Sequence, residues 1–242
     1  AFTKILNNLD ISYAVLGKEE SCTGDPARRA GNEMLFQMQA LTNIEVLNGY
    51  EVKNIITICP HCYNIFKNEY PELGGEYNVI NYTELINDNI KSGKLKIEGD
   101  LFKDKKVTYH DPCYLGRYSG IYKEPRRVLK AIPSLSFKEM TPSGKDSLCC
   151  GAGGGWMWMD EKIGKRINVS RFEDALAADP EWISTACPFC VTMFDDAIKD
   201  KGMEETLKIW DIVEIVEQAL FGEKKRPSIS SGPSPDHPES EE

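Results

Sequence analysis

Short apolar runs alternate with longer amphipathic segments along most of the chain. The short runs predict strands over residues 11–16, 52–58, 77–81, 106–110, 134–140, 182–186 and 207–210. The segments with apolar residues at helical spacing predict helices over residues 31–48, 60–69, 83–91, 125–132, 161–178, 188–199 and 212–221. Alternating strands and helices are typical of α/β units with mostly parallel sheets, and we predict this fold class.

The cysteines mark an internal repeat. Cys22 and Cys59 are separated by 36 residues, and so are Cys150 and Cys187. In each half the second cysteine opens a C-P-x-C sequence at the end of an apolar run: NIITICPHC (54–62) and WISTACPFC (182–190). Two α/β units in tandem follow from this pattern.

The repeat also predicts the domain organisation. We place the first domain over residues 1–98 and the second over residues 99–221. Residues 222–242 are rich in Pro, Ser and charge and cannot bury enough apolar surface to order, so we predict a disordered tail.

Charge and hydropathy exclude several classes of protein. The net charge of −9 argues against nucleic acid or an anionic membrane surface as the main partner. No apolar run approaches the ~20 residues that span a bilayer, and the first residues, AFTKILNNLDIS, lack the apolar core of a secretory signal. We therefore expect a cytoplasmic protein that does not bind nucleic acid.

The spacing of the eight cysteines favours thiolate ligation of a metal over disulfides. The second half holds five of them, in HDPC (110–113), LCCG (148–151) and CPFC (187–190). Five thiolates exceed the four ligands that zinc takes, whereas several iron atoms could share them with one thiolate bridging. Glycines beside the vicinal pair let backbone N–H groups approach cluster sulfides. The pattern therefore favours an iron–sulfur cluster, with Gly151, Gly153 and Gly154 as its backbone contacts.

The sequences YHDPCYLGR (109–117), LCCGAGGG (148–155) and CPFC resemble the cysteine-rich (CCG) domain family. This family occurs in the B-type and D-type polypeptides of heterodisulfide reductase and in iron–sulfur subunits of glycerol-3-phosphate and glycolate or lactate oxidases. The three motifs are most similar to those of iron–sulfur reductases associated with electron-transfer flavoprotein, which pass electrons toward menaquinone. The resemblance covers roughly residues 20–221.

The resemblance implies tandem domains that can each hold a [4Fe-4S]-type cluster, with a noncubane cluster on the full five-cysteine set. Its ligands in the second domain are Cys113, Cys149, Cys150, Cys187 and Cys190. The implied function is electron transfer from a flavoprotein toward membrane quinone. The implied place is the cytoplasmic face of the membrane, reached through upstream segments or a partner that carries a membrane anchor or haem.

Two other functions remain open. The cluster could itself be the reactive site of a heterodisulfide or thiol–disulfide reductase. Alternatively, the cysteines could hold structural zinc in an interaction protein.

The first half departs from the family pattern. ESCTGD (20–25) places Ser21 where Cys149 would be, and no residue corresponds to Cys113. Either the first repeat lacks this ligand or the sequence is truncated ahead of Ala1, and we favour truncation. The remaining thiols, Cys22, Cys59 and Cys62, predict a simpler cluster or none.

Other polar and aromatic residues have structural interpretations. His61 aligns with Phe189, so we predict a surface or packing residue. For His110 we predict a structural hydrogen bond rather than catalysis, with tuning of the cluster as the open alternative. Trp156 and Trp158 are predicted to exclude water beside the cluster. The arginines are predicted to lie on solvated faces: Arg28, Arg29, Arg117, Arg126 and Arg127.

Overall fold

The computed structural model describes residues 1–159 and 164–222. The helices are α1 (Phe2–Asn8), α2 (Asp25–Arg29), α3 (Glu33–Gly49), α4 (Pro60–Asn64), α5 (Tyr82–Lys91), α6 (Lys123–Lys130), α7 (Ile167–Leu176), α8 (Pro188–Asp200) and α9 (Ile212–Phe221). The strands are β1 (Asn54–Thr57), β2 (Asn78–Asn81), β3 (Lys106–Tyr109), β4 (Ser136–Phe137), β5 (Trp182–Thr185) and β6 (Lys208–Asp211). The predicted tail beyond Gly222 lies outside the described residues.

The strands form two parallel sheets, one in each repeat. In the first repeat β1 pairs with β2, with Ile55 opposite Val79. In the second repeat the strand order is β4-β3-β5-β6, with Ile183 of β5 between Thr108 of β3 and Ile209 of β6. The predicted α/β class with parallel sheets is confirmed.

The strand predicted over residues 134–140 is reduced to β4, and two other predicted elements differ more. The strand over residues 11–16 is absent, and this segment is largely exposed, Val15 to 73%. Its counterpart β4 pairs only with β3, and the described part of the first repeat has no strand equivalent to β3, so the segment has no edge to pair with. The helix predicted from residue 161 begins at Ile167 as α7, and residues 160–163 lie outside the described part.

The two repeats share one hydrophobic core. Tyr63 and Tyr82 from the first repeat are buried in the same cluster as Leu115, Val128 and Ile215 from the second. Helices also pack across the repeats, because α6 of the second contacts α5 of the first as well as α9, and α1 of the first contacts α9. The division into domains at residues 98 and 99 stays a prediction, since this core runs across it.

Equivalent helices begin with equivalent caps. The side chain of Asn81 accepts from the backbone at the start of α5, and Asp211 does the same for α9, each in a capping box with a glutamate. Tyr82 donates its hydroxyl proton to Asp211 Oδ1 at 2.6 Å. Burial raises the pKa of Asp211 to about 7. Within the described residues, no helix combines the length and apolar character needed to cross a membrane.

Candidate metal centre

In each repeat the C-P-x-C cysteines lie at the point where a parallel strand ends and a helix begins. Cys59 is the N-cap of α4 after β1, and Cys187 is the N-cap of α8 after β5, each followed by proline in the first turn. Proline suits this position because its fixed φ is helical and its missing N–H has no partner there. The cysteine side chains therefore sit at helix N-termini, where the free N–H groups and the dipole favour anionic sulfur.

The structure brings together the five cysteines that the sequence singles out in the second repeat. The Sγ atoms of Cys150 and Cys190 are 3.3 Å apart. The thiol of Cys149 interacts with those of Cys113 and Cys150, and that of Cys190 interacts with Cys187. None of the cysteines forms a disulfide.

The three cysteines of the first repeat gather less completely. The thiols of Cys59 and Cys62 interact, and the hydroxyl of Thr23 donates to Cys62 Sγ at 3.5 Å. Cys22 is exposed, and its Sγ accepts from the N–H of Gly24 at 3.5 Å.

The two groups of thiols meet across the repeats. Cys59 hydrogen-bonds with Cys187. The third residues of the two C-P-x-C sequences, His61 and Phe189, are also in contact, with their ring centroids 4.7 Å apart in an edge-on arrangement. Contact between equivalent positions indicates an approximate twofold axis between α4 and α8. Seven thiols form one connected chain in the order Cys113, Cys149, Cys150, Cys190, Cys187, Cys59 and Cys62.

The backbone of the cysteine loop is the same in both repeats. Gly24 has φ +91° and donates its N–H to Cys22 Sγ, two residues earlier. Gly151 has φ +92° and donates its N–H to Cys149 Sγ at 3.3 Å. These contacts make Cys22 the structural equivalent of Cys149 rather than of Cys150.

This correspondence corrects the alignment drawn from residue counts. Thr23 contacts Cys62 as Cys150 contacts Cys190, so threonine occupies the position of the second cysteine of the vicinal pair. The predicted equivalence of Ser21 with the first cysteine is wrong, and its hydroxyl instead donates to an asparagine of α3. The count failed because the loop-to-C-P-x-C spacing differs by one residue between the repeats.

The pKa values of the second-repeat thiols are shifted in opposite directions. Hydrogen bonds from Cys113 and Cys150 lower the pKa of Cys149. The same bonds raise the pKa of the two donors. Cys149 is therefore the thiol at this end of the chain that loses its proton most readily.

Cys187, at the centre of the thiol chain, is the other thiol whose pKa is lowered. Burial would raise the pKa of Cys187, but hydrogen bonds from Cys190 and Cys59 outweigh it and lower the pKa. The bond to Cys187 raises the pKa of Cys59 to about 12. A metal ion favours thiolates and displaces such shared protons. Five cysteine sulfurs lie together here, and three of these cysteines are buried. Because a zinc ion takes four ligands, five sulfurs fit a centre with several iron atoms better.

Of the predicted glycine contacts, the structure places one against a thiol. The N–H of Gly151 points at Cys149 Sγ, and a Cβ on Gly151 would lie 3.1 Å from Ile167 Cβ. Among the described residues, no hydrogen bond joins Gly153 or Gly154 to a sulfur, and their contact with a cluster stays a prediction.

The two histidines among the described residues, His61 and His110, are buried. His61 is a packing residue as predicted, though not a surface one: its Nδ1 is 2.8 Å from Asp25 Oδ2, and its ring stacks on Tyr114 at 4.0 Å. His110 makes the predicted structural hydrogen bond, because its Nδ1 accepts from Arg171 Nε at 3.2 Å. Burial and the positive charge of Arg171 lower the pKa of His110 to about 3, so the ring is neutral.

Three of the five arginines are only partly exposed and form ion pairs. Arg28 and Arg29 both pair with Glu69. Arg126 binds both oxygens of Asp111. Sequence reasoning also missed Asp25 and Arg171, since charged residues are expected at the surface unless a buried partner is known.

The tryptophans beside the vicinal cysteines are more exposed than shielding residues. Trp156 is 49% exposed and Trp158 is 64% exposed. Met157 between them packs against the core cluster that contains Cys150. The prediction that this stretch excludes water applies to Met157 rather than to the tryptophans.

The sequence profile of the cysteine-rich (CCG) domain matches residues 1–67 and 107–195. These two ranges contain every cysteine of the thiol chain. The chain belongs to the cysteine-rich (CCG) domain family.

Relatives support an iron–sulfur cluster in this CCG protein. It is 48% identical to a probable iron–sulfur-binding oxidoreductase, FadF, of Bacillus subtilis over 92% of this chain and 31% of that protein. It is 45% identical to the EtfAB:quinone oxidoreductase of Syntrophomonas wolfei over 91% of this chain and 31% of the relative. Identity is 35% to the D-type polypeptide of the CoB–CoM heterodisulfide reductase of Methanosarcina barkeri, over 91% of this chain and 54% of that protein. The chain thus spans about a third to a half of the length of these relatives.

Proposed function

We propose that this chain is an electron-transfer module of an iron–sulfur oxidoreductase. The observation that carries the proposal is the connected chain of seven thiols, which links the sulfur groups of both repeats through the contact between Cys59 and Cys187. A structural zinc site needs four ligands and no such continuation into a second group. When bound, an iron–sulfur cluster accepts and releases single electrons.

The second repeat is the proposed site of a [4Fe-4S]-type cluster, noncubane because of the vicinal pair. Its proposed ligands are Cys113, Cys149, Cys150, Cys187 and Cys190. The first repeat offers Cys22, Cys59 and Cys62, and with Thr23 beside Cys62 it lacks the sulfur that would match the vicinal pair. We therefore propose a simpler cluster there.

Residues of the chain set the environment of the second site. Cys150, Cys187 and Cys190 are buried, which keeps water from their sulfurs and raises the sensitivity of the site to nearby dipoles. Cys113 and Cys149 are partly exposed. The side that these two sulfurs face is therefore where a redox partner approaches most closely.

The proposed donor is a flavoprotein, an electron-transfer flavoprotein or a dehydrogenase, and the proposed acceptor is membrane quinone. The names of two relatives support this choice: one is an EtfAB:quinone oxidoreductase and another is a probable membrane-anchored ferredoxin of Chromohalobacter salexigens, 40% identical over 91% of this chain. Association with the cytoplasmic face of the membrane through a partner or another segment is part of the same proposal.

Stopped-flow reduction tests the electron-transfer function. The anaerobically reconstituted chain is mixed with a reduced electron-transfer flavoprotein, and bleaching of the cluster absorbance is followed. We expect bleaching matched by flavin reoxidation. The control is the zinc-loaded chain, which should leave the flavin reduced. A reconstituted chain that takes no electrons from any reduced flavoprotein or from quinol would contradict the proposal.

Partial exposure of Cys113 and Cys149 favours a second candidate, a heterodisulfide or thiol–disulfide reductase. The relative from a heterodisulfide reductase supports it. Incubation of the chain with a mixed disulfide and an excess of a reduced viologen dye, which supplies the two electrons consumed per disulfide, separates the two functions. Release of two thiols per disulfide, with multiple turnovers, favours the reductase, and the absence of thiol release favours electron transfer alone.

A further inference from the structure

His110 lies at the edge of the second thiol group with one ring nitrogen unaccounted for. The residue follows β3, is fully buried, and has a ring nitrogen within 4.8 Å of the Sγ atoms of Cys150 and Cys190. Its Nε2 has no hydrogen-bond partner among the residues that the structure describes. A buried polar atom without a partner is costly and therefore points to a missing group.

Arg171 determines which ring nitrogen of His110 carries the proton. A guanidinium can only donate, so the bond from Arg171 Nε requires a lone pair on Nδ1. A neutral imidazole carries one N–H, and that N–H must then be on Nε2. His110 consequently presents a donor, not a ligand lone pair, at Nε2.

The arginine is itself fixed on all sides. Arg171 is fully buried, and its terminal nitrogens donate to Asp174 Oδ2 at 3.0 Å, to the carbonyl of Pro142 at 3.0 Å and to Ser147 Oγ at 2.9 Å. Ser147 lies two residues before the vicinal cysteines. Arg171 therefore contacts both His110, whose tautomer it determines, and the loop that carries Cys149.

We propose that Nε2–H of His110 donates a hydrogen bond to a sulfur of the second-repeat centre, and that Arg171 is the positioning residue that enforces this tautomer. The inference rests on the proposed iron–sulfur centre. A hydrogen bond to sulfur stabilises the more negative, reduced state and so raises the reduction potential. His110 is then a determinant of the potential and not a fifth or sixth metal ligand.

Pulsed electron paramagnetic resonance on the reduced chain, labelled with 15N-histidine, tests the contact. We expect a weak 15N coupling, of the size given by a hydrogen bond to sulfur. The coupling should vanish in His110→Leu and persist in His61→Phe, the matched control that copies Phe189 of the other repeat. A coupling as large as that of an iron-bound nitrogen, or none at all, would overturn the inference.

Redox titration supplies the second readout. His110→Leu should shift the potential of the second centre downward, and His110→Gln, whose amide can donate from a similar position, should restore most of the shift. An unchanged potential in His110→Leu with its cluster intact would contradict the donor role. A wild-type chain that binds no cluster would instead contradict the proposed iron–sulfur function. Failure of the His110 inference and failure of the proposed function therefore give different results.

Discussion

The cysteine loops of the two repeats are the same in backbone and different in side chain. In each loop a glycine with φ near +90° donates its N–H to the cysteine two residues earlier, as Gly24 does to Cys22 and Gly151 to Cys149. Between these residues the first repeat has Thr23 and the second has Cys150. The same loop backbone can therefore carry either one or two cysteines.

A second pair of positions has changed together. The first repeat places Asp25 and His61 in a buried polar contact at 2.8 Å. The equivalent positions of the second repeat are Ala152 and Phe189, which are apolar. The two sites thus differ in charge next to the thiols as well as in thiol number, and the difference predicts unequal redox properties.

The largest effect is expected when the second loop is converted to the first. Cys150→Thr removes the sulfur that links Cys149 to Cys190, so we expect loss of the second centre's electron paramagnetic resonance signal. Thr23→Cys is the reciprocal control and should leave that signal in place. A Cys150→Thr chain with an unaltered spectrum would show that the vicinal pair does not define the centre.

The polar contact of the first repeat gives the next effect. Asp25→Ala leaves His61 without its buried acceptor and removes one of the two acceptors of Arg29, and we expect the free energy of unfolding to fall by about 3 kcal/mol. Asp25→Ala with His61→Phe copies the second repeat and should recover about half of this loss. Urea unfolding of the two variants provides the comparison. A double variant no more stable than Asp25→Ala would argue that the two positions are independent.

The loop glycines have a smaller expected effect. A Cβ on Gly24 would lie 2.8 Å from Phe36 Cδ2 in addition to the strain of φ +91°, and we expect Gly24→Ala to cost about 2 kcal/mol. Gly31→Ala is the matched control, because Gly31 has φ +85° with open space around its Cβ position. It should cost about 1 kcal/mol, from backbone strain alone. Thermal unfolding of both variants is the measurement, and equal losses would exclude a steric role for Phe36.

The smallest effect concerns the helix caps. The pKa of Asp211 is raised to about 7 from its usual 3.8, so the folded chain binds more protons than the unfolded chain between these values. This group's contribution to stability is present at low pH and is lost as the pH rises toward and through 7. Asp211→Asn copies Asn81 of the first repeat and should weaken the fall in urea midpoint between pH 5.5 and pH 8. If Asp211→Asn leaves the pH dependence of the urea midpoint unchanged, a group other than Asp211 causes that dependence.

The sequence predicts the features that depend on local pattern and spacing. The C-P-x-C sequences after apolar runs identified β1 with α4 and β5 with α8, and the five cysteines of the second repeat do converge. Counting residues misplaced Ser21, because a one-residue change in spacing is invisible without contacts such as that between Thr23 and Cys62.

Other features depend on partners that are distant in the chain. The pattern at residues 11–16 suits a strand, but a strand forms only where a neighbour offers an edge. Asp25 and Arg171 look like surface charges until their buried partners, His61 and His110, are placed beside them. The packing of α1 and α6 against helices of the other repeat likewise follows from the shared core and not from any local signal.

Iron and acid-labile sulfide determination on the anaerobically purified chain, combined with Mössbauer spectroscopy of the 57Fe-enriched protein, shows whether the thiols hold an iron–sulfur cluster. We expect iron and sulfide in equal amounts, at least one cluster per chain, and loss of the second-repeat component in Cys150→Thr. Colourless protein that contains stoichiometric zinc and no sulfide would contradict this expectation.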